Sequence, residues 1–504
     1  MSLNIKKPSY LFIAWLIVFS GFYIALKISF GILICDDAYI TLSHVRTWVE
    51  QGRPVISLLN PVNATSTPLF TALLSLLAMF FGVQHIIIIA YCALTFFEVC
   101  SIALVFRIAK NLQLPLPYTL LAVSAYGMSV GLYSMSSFGM EAMLYVFLAL
   151  YAHYYALFYE KKIYTIIPVL FAVTLVRPEG LLVVFSVLVI CFVKKEKMPV
   201  LGAYCAASVA GLLLFFLFYY LSYGAVLPHS VVAKRIQLDI GLTGAFHAWK
   251  EYAFLKGPVF GGRRIMILVN CAICIAAAGG FLREKRFFKV LFLLIWPVTY
   301  MGFFLITGSS DPLMPWYFFP VVPFFILVIT FGIYRLLARF PIKQAAVWAL
   351  PFCMVSYCFA QVFIQKIPYK YRCAGQFREQ RYRDALQVIN PAASNNDVIM
   401  IDEVGTVGFH GKYRILDSHG LLSPEVLPFL KKYKNYIDYD KDKMLLDTFL
   451  PDWFFYTRGV AYLKNRDSEG EKEKFKNYTL FREIANRESP FVLELWRKKR
   501  YDQQ

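Results

Sequence analysis

The sequence predicts a polytopic α-helical membrane protein of about eleven transmembrane helices carrying a C-terminal extracytoplasmic α/β domain. Three observations predict it. Of the 504 residues 59% are hydrophobic, and the mean hydropathy is +0.56, too apolar for a water-soluble chain. Apolar runs follow one another from residue 11 to residue 364, separated by short basic loops. Beyond residue 366 hydrophobicity becomes ordinary, charge rises, and short strand-like runs replace the long ones. The expected division is therefore a transmembrane domain over 1–366, with an outer loop at 35–85 holding juxtamembrane helices, and an extracytoplasmic α/β domain over 367–504.

The chain opens with Lys6 and Lys7 before the apolar run 11–34. That run is longer than a signal-peptide core and lacks a small-residue cleavage site, so it reads as an uncleaved anchor with a cytoplasmic N-terminus. The next stretch, DDAYITLSHVRTWVEQG, opens at the outer surface with two adjacent carboxylates, Asp36 and Asp37. It predicts a short amphipathic helix with Ala38, Leu42, Val45 and Val49 as its apolar stripe, ended by Gly52. One Asp would satisfy a helix cap; a second beside it adds repulsion at an apolar boundary. Ionisable groups at such a depth are expensive and usually functional.

Pro68–Phe81 follows, introduced by Ser66 and Thr67 and closed by Gly82. As a helix it reaches about 21 Å, short of the ~30 Å hydrocarbon core, and reads as a juxtamembrane or re-entrant helix. With that choice the basic loops alternate correctly for crossings at 86–106, 116–132 and 143–158. Residues 163–193 read as two short helices around an outer turn at Arg177, Pro178, Glu179 and Gly180, because basic clusters stand at both ends. Further crossings are expected at 201–221, 265–282, 288–306, 316–333 and 345–364. Cys271 and Cys274 lie inside one of these runs and read as packing rather than as a metal or redox pair. The tail predicts strands near 398–401, 413–416, 453–456 and 491–496, with helix over 376–388.

The formal charge of +19, from 51 Lys+Arg against 32 Asp+Glu, fits basic inner loops and anionic lipid headgroups. No nucleic-acid motif is present. No His, Cys and Asp cluster has metal-ligand spacing, although Asp36 and Asp37 can hold a divalent ion weakly. Asn63 and Asn477 each begin a glycosylation-type triplet, which matters only in a eukaryotic host.

This topology sends a mixed polar set to one surface: Asp36, Asp37, Glu141, Glu179 and Asp311 as carboxylates, Arg46, Arg177, Lys234 and Arg235 as cations, with His229 and Trp316. Singly, each has a structural explanation, such as a helix-end charge, a turn ion pair or a headgroup anchor. Together, a carboxylate and cations at an outer membrane boundary suit group transfer from a lipid phosphate. The carboxylate takes a proton from an acceptor hydroxyl, and a cation meets charge on the departing phosphate. No nucleotide-binding glycine loop accompanies them.

The succession DDAYITLSHVR (36–46), TSTPLF (65–70), FGMEAML (138–144), VRPEGLL (176–182), YGAVLPHSVVAK (223–234) and DEVGTVGFHGKYRILDSHGLLSP (402–424) resembles the GT-C superfamily of integral-membrane glycosyltransferases. Within it, the chain resembles most the branch of the mycobacterial terminal arabinofuranosyltransferase. The resemblance implies a polyprenyl-phosphate sugar donor, a glycan, lipid or protein acceptor, and a site on the outer face of a bacterial inner membrane. It implies inverting transfer of a single sugar, arabinofuranose in that branch. It implies Asp36 as general base with Asp37 assisting, and Tyr39, Arg46, Glu141, Arg177, Glu179, His229, Lys234 and Trp316 as donor or substrate contacts. His229 stands where relatives often have Asn, and Ser66-Thr67-Pro68 where they have aromatic-Ser-Pro. The alternative is a non-catalytic transporter or flippase of lipid-linked sugars. Alternating access usually shows internal repeats and broken midplane helices, and the sequence carries no evident repeat.

Overall fold

The computed structural model describes residues 10–57, 59–159, 163–225, 228–237, 285–307, 319–364, 367–433, 441–459, 469–485 and 491–499. The expected crossing at 265–282 with its two cysteines, and the site candidates Trp316 and Asp311, lie outside these. The chain divides into two compact units. The first comprises residues 1–32, 91–214 and 240–368; the second comprises 33–90, 215–239 and 369–504.

The first unit is helical. Four described helices of the chain are long and apolar enough to cross a membrane, Tyr10–Phe30, Val83–Asn111, Met198–Tyr223 and Phe319–Leu337, and the protein is a multi-pass membrane protein. Shorter apolar helices include Ala142–Phe158, Gly180–Val193 and Pro68–Phe81. The turn at 177–180 does separate two short helices, Ile163–Val176 and Gly180–Val193. Gly180 is needed there, because a Cβ would fall 2.3 Å from the Val173 carbonyl oxygen. Two charged residues within the apolar runs, Lys27 and Glu98, went unnoticed in the sequence. They pair at 3.1 Å, with Lys27 also donating to Ser136 and the Tyr23 hydroxyl donating to Glu98 at 2.8 Å. Mutual satisfaction is what lets both remain inside a bundle.

The second unit is built on a five-stranded mixed sheet in the order β2-β1-β3-β5-β4. Its strands are β1 (Val398–Ile401), β2 (Arg414–Asp417), β3 (Trp453–Gly459), β4 (Tyr478–Ala485) and β5 (Phe491–Lys498). β1 pairs parallel with β2 and β3, and β5 pairs antiparallel with β3 and β4. β4 escaped the sequence reading because YTLFREIA alternates weakly and carries charge on its exposed face.

Alternation along the strands separates two cores. Ile399, Ile401, Ile415, Trp453, Phe455, Leu493 and Leu495 face the helix Ile367–Ile389 through Tyr382, Ala385, Leu386 and Ile389. Met400, Leu416, Phe454 and Trp496 face the other way, onto Leu427, Leu430, Leu445, Leu446 and Phe475. The sheet is thus covered on both sides, as parallel strands require. Ile40, Ile56 and Ala64 join the first of these cores, and Ala233 joins the second. The helices Asp36–Gln51 and His229–Gln237 and the stretch around Ile56 and Ala64 are therefore packed parts of the α/β unit.

Candidate active site

The helix opened by the paired carboxylates runs Asp36–Gln51 and ends at Gly52 in the left-handed conformation, φ 70°. Its expected single apolar stripe is corrected by the structure. Nearly the whole helix from Asp36 to Thr47 is buried, Ser43, His44 and Thr47 included. Ser43 and Thr47 tolerate this because their hydroxyls donate to the carbonyls of Tyr39 and Ser43, at 2.8 and 3.0 Å. His44 tolerates it as a neutral ring. Nδ1–H donates to Ile40 O at 2.8 Å, Nε2 faces the Ala64 N–H at 3.5 Å, and burial pushes its pKa down to about 4.

Asp36 occupies the first turn without capping its own helix. Its carboxylate instead receives the start of the helix Val404–His410, which belongs to the DEVGTVG motif. Gly405 N–H donates to Oδ2 at 2.8 Å, Thr406 N–H to Oδ1 at 2.8 Å, and Thr406 Oγ1 lies 3.0 Å from Oδ1. Ten residues on, Arg46 donates to the Phe409 carbonyl and lies over the Phe409 ring at 4.7 Å. A carboxylate thus meets the positive end of the short helix and a guanidinium meets its negative end, the arrangement the backbone dipole favours. Tyr39 fills the space between them against Phe409 and His410, at 5.2 and 5.4 Å between centroids.

Carboxylates crowd behind this clamp. Glu379 hydrogen-bonds Thr406 Oγ1, and Arg378 pairs with Glu403 at 3.0 Å and with Glu379 at 3.4 Å. A threonine hydroxyl has one proton. With three donors on Asp36 and one hydroxyl shared, Glu379 supplies the second proton and is the protonated acid of the group. Burial and the neighbouring Asp36 push its pKa up to about 8, and burial pushes Glu403 up to about 7. Burial also raises Asp36, opposed by the two backbone N–H groups. The sequence named none of Glu379, Glu403 and Arg378. DEVGTVG was visible as a motif, but its meeting with Asp36 spans 369 residues.

Asp37 differs from its neighbour. It is half-buried, and among the described residues no hydrogen bond or ion pair engages it. One turn on, at Thr41, begins a run of hydroxyls: Thr41 Oγ1 to Thr65 Oγ1 at 3.4 Å and Thr65 Oγ1 to Thr67 Oγ1 at 3.1 Å.

His229 begins the helix His229–Gln237, half-buried, its Nδ1 without a partner among the described residues and its pKa lowered by burial. Lys234 is on the same helix, which packs Ala233 into the sheet's second core; its side chain is outside what the structure describes.

In the first unit, Glu141 and Arg177 form a buried ion pair, Arg177 Nε donating to Glu141 Oε1 at 2.6 Å. Two predicted site residues 36 positions apart are thereby joined, while Glu179 stays half-exposed beside them. The Arg177 guanidinium also lies 5.8 Å from the Tyr145 ring centre. Tyr145 in turn packs edge-on against Trp296 at 5.9 Å. The Trp296 indole N–H faces the Tyr145 hydroxyl, and both groups are fully buried. Both were invisible in the sequence, where they read as ordinary aromatic residues of apolar runs.

Among the described residues, no group of three or more His, Cys, Asp or Glu side chains is arranged to hold a metal.

A family described as a domain of unknown function (DUF8728) matches residues 370–501, the sheet-bearing tail. No curated protein matches the chain. The fold is similar to that of ArnT from Cupriavidus metallidurans in the apo state, with a TM-score of 0.57 at 10% identity over 96% of this chain and 98% of that one. It is similar also to ArnT from the same organism bound to undecaprenyl phosphate, with a TM-score of 0.55 at 11% identity over the same shares of the two chains. The likeness spans both units and gives this multi-pass chain an ArnT-like fold.

Proposed function

We propose that this protein is a GT-C glycosyltransferase that moves a single sugar from a polyprenyl-phosphate donor to a hydroxyl of a glycan, lipid or protein acceptor on the outer face of a bacterial inner membrane. Asp37 is its general base. The observation that carries this assignment is the contrast between the paired carboxylates. Asp36 is buried with three donors on it, whereas Asp37 is half-exposed on the same helical turn and meets no donor among the described residues. Burial raises the Asp36 carboxyl, but three fixed donors already occupy it and it is shut off from solvent, so an acceptor hydroxyl has no open approach to its lone pairs. Asp36 therefore holds the helix, and Asp37 takes the proton.

In the reaction, Asp37 accepts the acceptor's hydroxyl proton as that oxygen attacks the anomeric carbon. The bond from that carbon to the phosphate oxygen breaks, polyprenyl phosphate departs with the electron pair, and direct displacement inverts the anomeric centre. Charge growing on the phosphate calls for a cation or strong donors. Lys234, on the helix His229–Gln237, is the first candidate, and Arg177 the second. An ArnT structure holding undecaprenyl phosphate supports the donor class. The ArnT likeness does not select the arabinofuranosyltransferase branch; the motifs make an arabinofuranosyl donor the first to assay. Asn63, at 1% exposure, is no glycosylation acceptor in the folded protein.

The test is turnover of a radiolabelled polyprenyl-phosphate sugar by purified protein. Asp37→Asn is expected to lower turnover by ~10²–10⁴-fold, the usual worth of a general base, with an unchanged melting temperature. Near-normal turnover in that variant would remove Asp37 from the mechanism. Absence of turnover by the parent protein with every polyprenyl-phosphate sugar offered would favour the transporter reading.

A further inference from the structure

The segment from Asn60 to Thr67 is held at almost every polar atom. Asn60 mimics a strand residue on the edge of β2, its Nδ2 donating to Ile415 O at 2.8 Å and its Oδ1 accepting Ile415 N–H at 2.9 Å. Asn63 Oδ1 accepts the Thr65 N–H at 3.1 Å, closing a local turn. His44 faces the Ala64 N–H, and the Tyr219 hydroxyl donates to Thr65 O at 2.9 Å. The Thr65 hydroxyl stands between those of Thr41 and Thr67.

One buried atom is left out: among the described residues Asn63 Nδ2 has no partner, although Asn63 is 1% exposed. The turn accepted by Oδ1 fixes which end of the amide is nitrogen, so the orphan is a donor. A buried donor without an acceptor is costly, and a rigid, otherwise satisfied segment that keeps one is prepared for something that brings the acceptor. The same segment shares the three threonine hydroxyls with the Asp36–Gln51 helix, one turn from Asp37.

We propose that Asn63, Thr41, Thr65 and Thr67 form a carbohydrate-recognition subsite next to Asp37, binding a neutral sugar through its hydroxyls. This rests on the reading of Asp37 as base. The donor set selects the ligand class. An amide N–H and hydroxyls that both donate and accept match the hydroxyls of a sugar. A phosphate is disfavoured, because the set contains no cation and Asp37 would repel it. An apolar group would leave the amide donor unpaired. The rigid anchoring of the segment supplies the preorganisation that weak, neutral sugar contacts need.

Two sources supply such a sugar, the acceptor glycan and the glycosyl group of the donor. The test uses full-length protein in lipid nanodiscs and measures binding of a panel of methyl glycosides, the arabinofuranoside included, by saturation-transfer NMR. At least one glycoside is expected to bind. Asn63→Asp keeps the acceptor that closes the turn and replaces the donor by a carboxyl oxygen; it is expected to weaken that glycoside at least about tenfold, the size of one lost hydrogen bond. Thr67→Val, which keeps shape and loses the hydroxyl, is expected to weaken it also. Undecaprenyl phosphate without a sugar should bind all three proteins alike. If the parent binds no glycoside, or both variants bind it as the parent does, the orphan donor holds a structural water and the proposal fails. A glycoside that still binds when an undecaprenyl-phosphate sugar saturates the protein is an acceptor analogue; one that is displaced reports the donor's sugar. Failure here with intact turnover, and loss of turnover in Asp37→Asn, would leave the glycosyltransferase reading standing.

Discussion

A Cβ placed on Gly405 would lie 1.8 Å from the backbone oxygen of Asp36. No side chain fits in that distance, so the contact between the helix Asp36–Gln51 and the tail exists only because residue 405 is glycine. It lets two successive N–H groups reach one carboxylate from below, and it ties residues 369 apart in sequence into one rigid piece. Asp37 is carried on that piece.

Gly405→Ala should therefore lift the two helices apart or expel the Asp36 carboxylate. We expect a loss of at least about 1–3 kcal/mol, as for other over-packed contacts, read as a lower melting temperature. Turnover should fall with it. A variant as stable as the parent would mean that the two helices can part at no cost.

Asp36→Asn and Asp37→Asn should separate folding from chemistry. An amide at position 36 turns one acceptor into a donor against a backbone N–H or the Thr406 hydroxyl, at a cost of about 1–3 kcal/mol. Thermal unfolding should register Asp36→Asn and not Asp37→Asn. Equal melting temperatures for the two variants would contradict the clamp.

Glu379 predicts a pH dependence. Its folded-state pKa of about 8 lies above its ordinary 4.5. The contribution it makes is therefore complete below pH 4.5 and declines as the pH rises through about 8. Above that value a second negative charge faces Asp36 and the hydrogen bond donated to Thr406 is gone. Glu379→Gln keeps a donor and cannot ionise. Its melting temperature should fall less than the parent's between pH 6 and pH 9; parallel curves would place the proton elsewhere.

Asn60 joins the loop to the sheet by two hydrogen bonds to one residue, Ile415. Asn60→Ala leaves the buried Ile415 N–H unpaired, while the Ile415 carbonyl keeps the Ser423 hydroxyl at 3.2 Å, and should cost about 1–2 kcal/mol. Hydrogen exchange at Ile415, slow in the parent, should accelerate. Unchanged exchange would show that another group takes over the edge of β2.

For Glu141 and Arg177 a double-mutant cycle is informative. Breaking a buried pair from one side typically costs ~3–5 kcal/mol, whereas replacing both by apolar groups costs far less. Glu141→Gln should destabilise, and Glu141→Leu with Arg177→Met should recover stability. Turnover should not return with it if Arg177 also meets the donor phosphate. Recovered turnover in the double variant would reduce the pair to a structural one.

Much of this protein was legible without coordinates because membranes and helices impose long, regular patterns. The apolar runs, the short helix Pro68–Phe81, the turn at Arg177 to Gly180, the helix opened by Asp36 and ended by Gly52, and most strands of the tail follow from hydropathy, glycine and proline placement. Those signals are local, so each could be read within a window of twenty residues. The tertiary structure decided which polar groups are spoken for. Asp36 and Asp37 are indistinguishable as neighbours in a sequence; one became a helix clamp because Gly405 and Thr406 arrive from the far end of the chain. Glu379 was an unremarked charge on an amphipathic helix until burial beside Asp36 made it a protonated acid. Asn63 read as the start of a glycosylation-type triplet, and packing left its amide as a buried donor without a partner among the described residues. Hydrogen-bond satisfaction and desolvation depend on what lies within a few ångströms in space, and that neighbourhood is assembled only when distant segments meet.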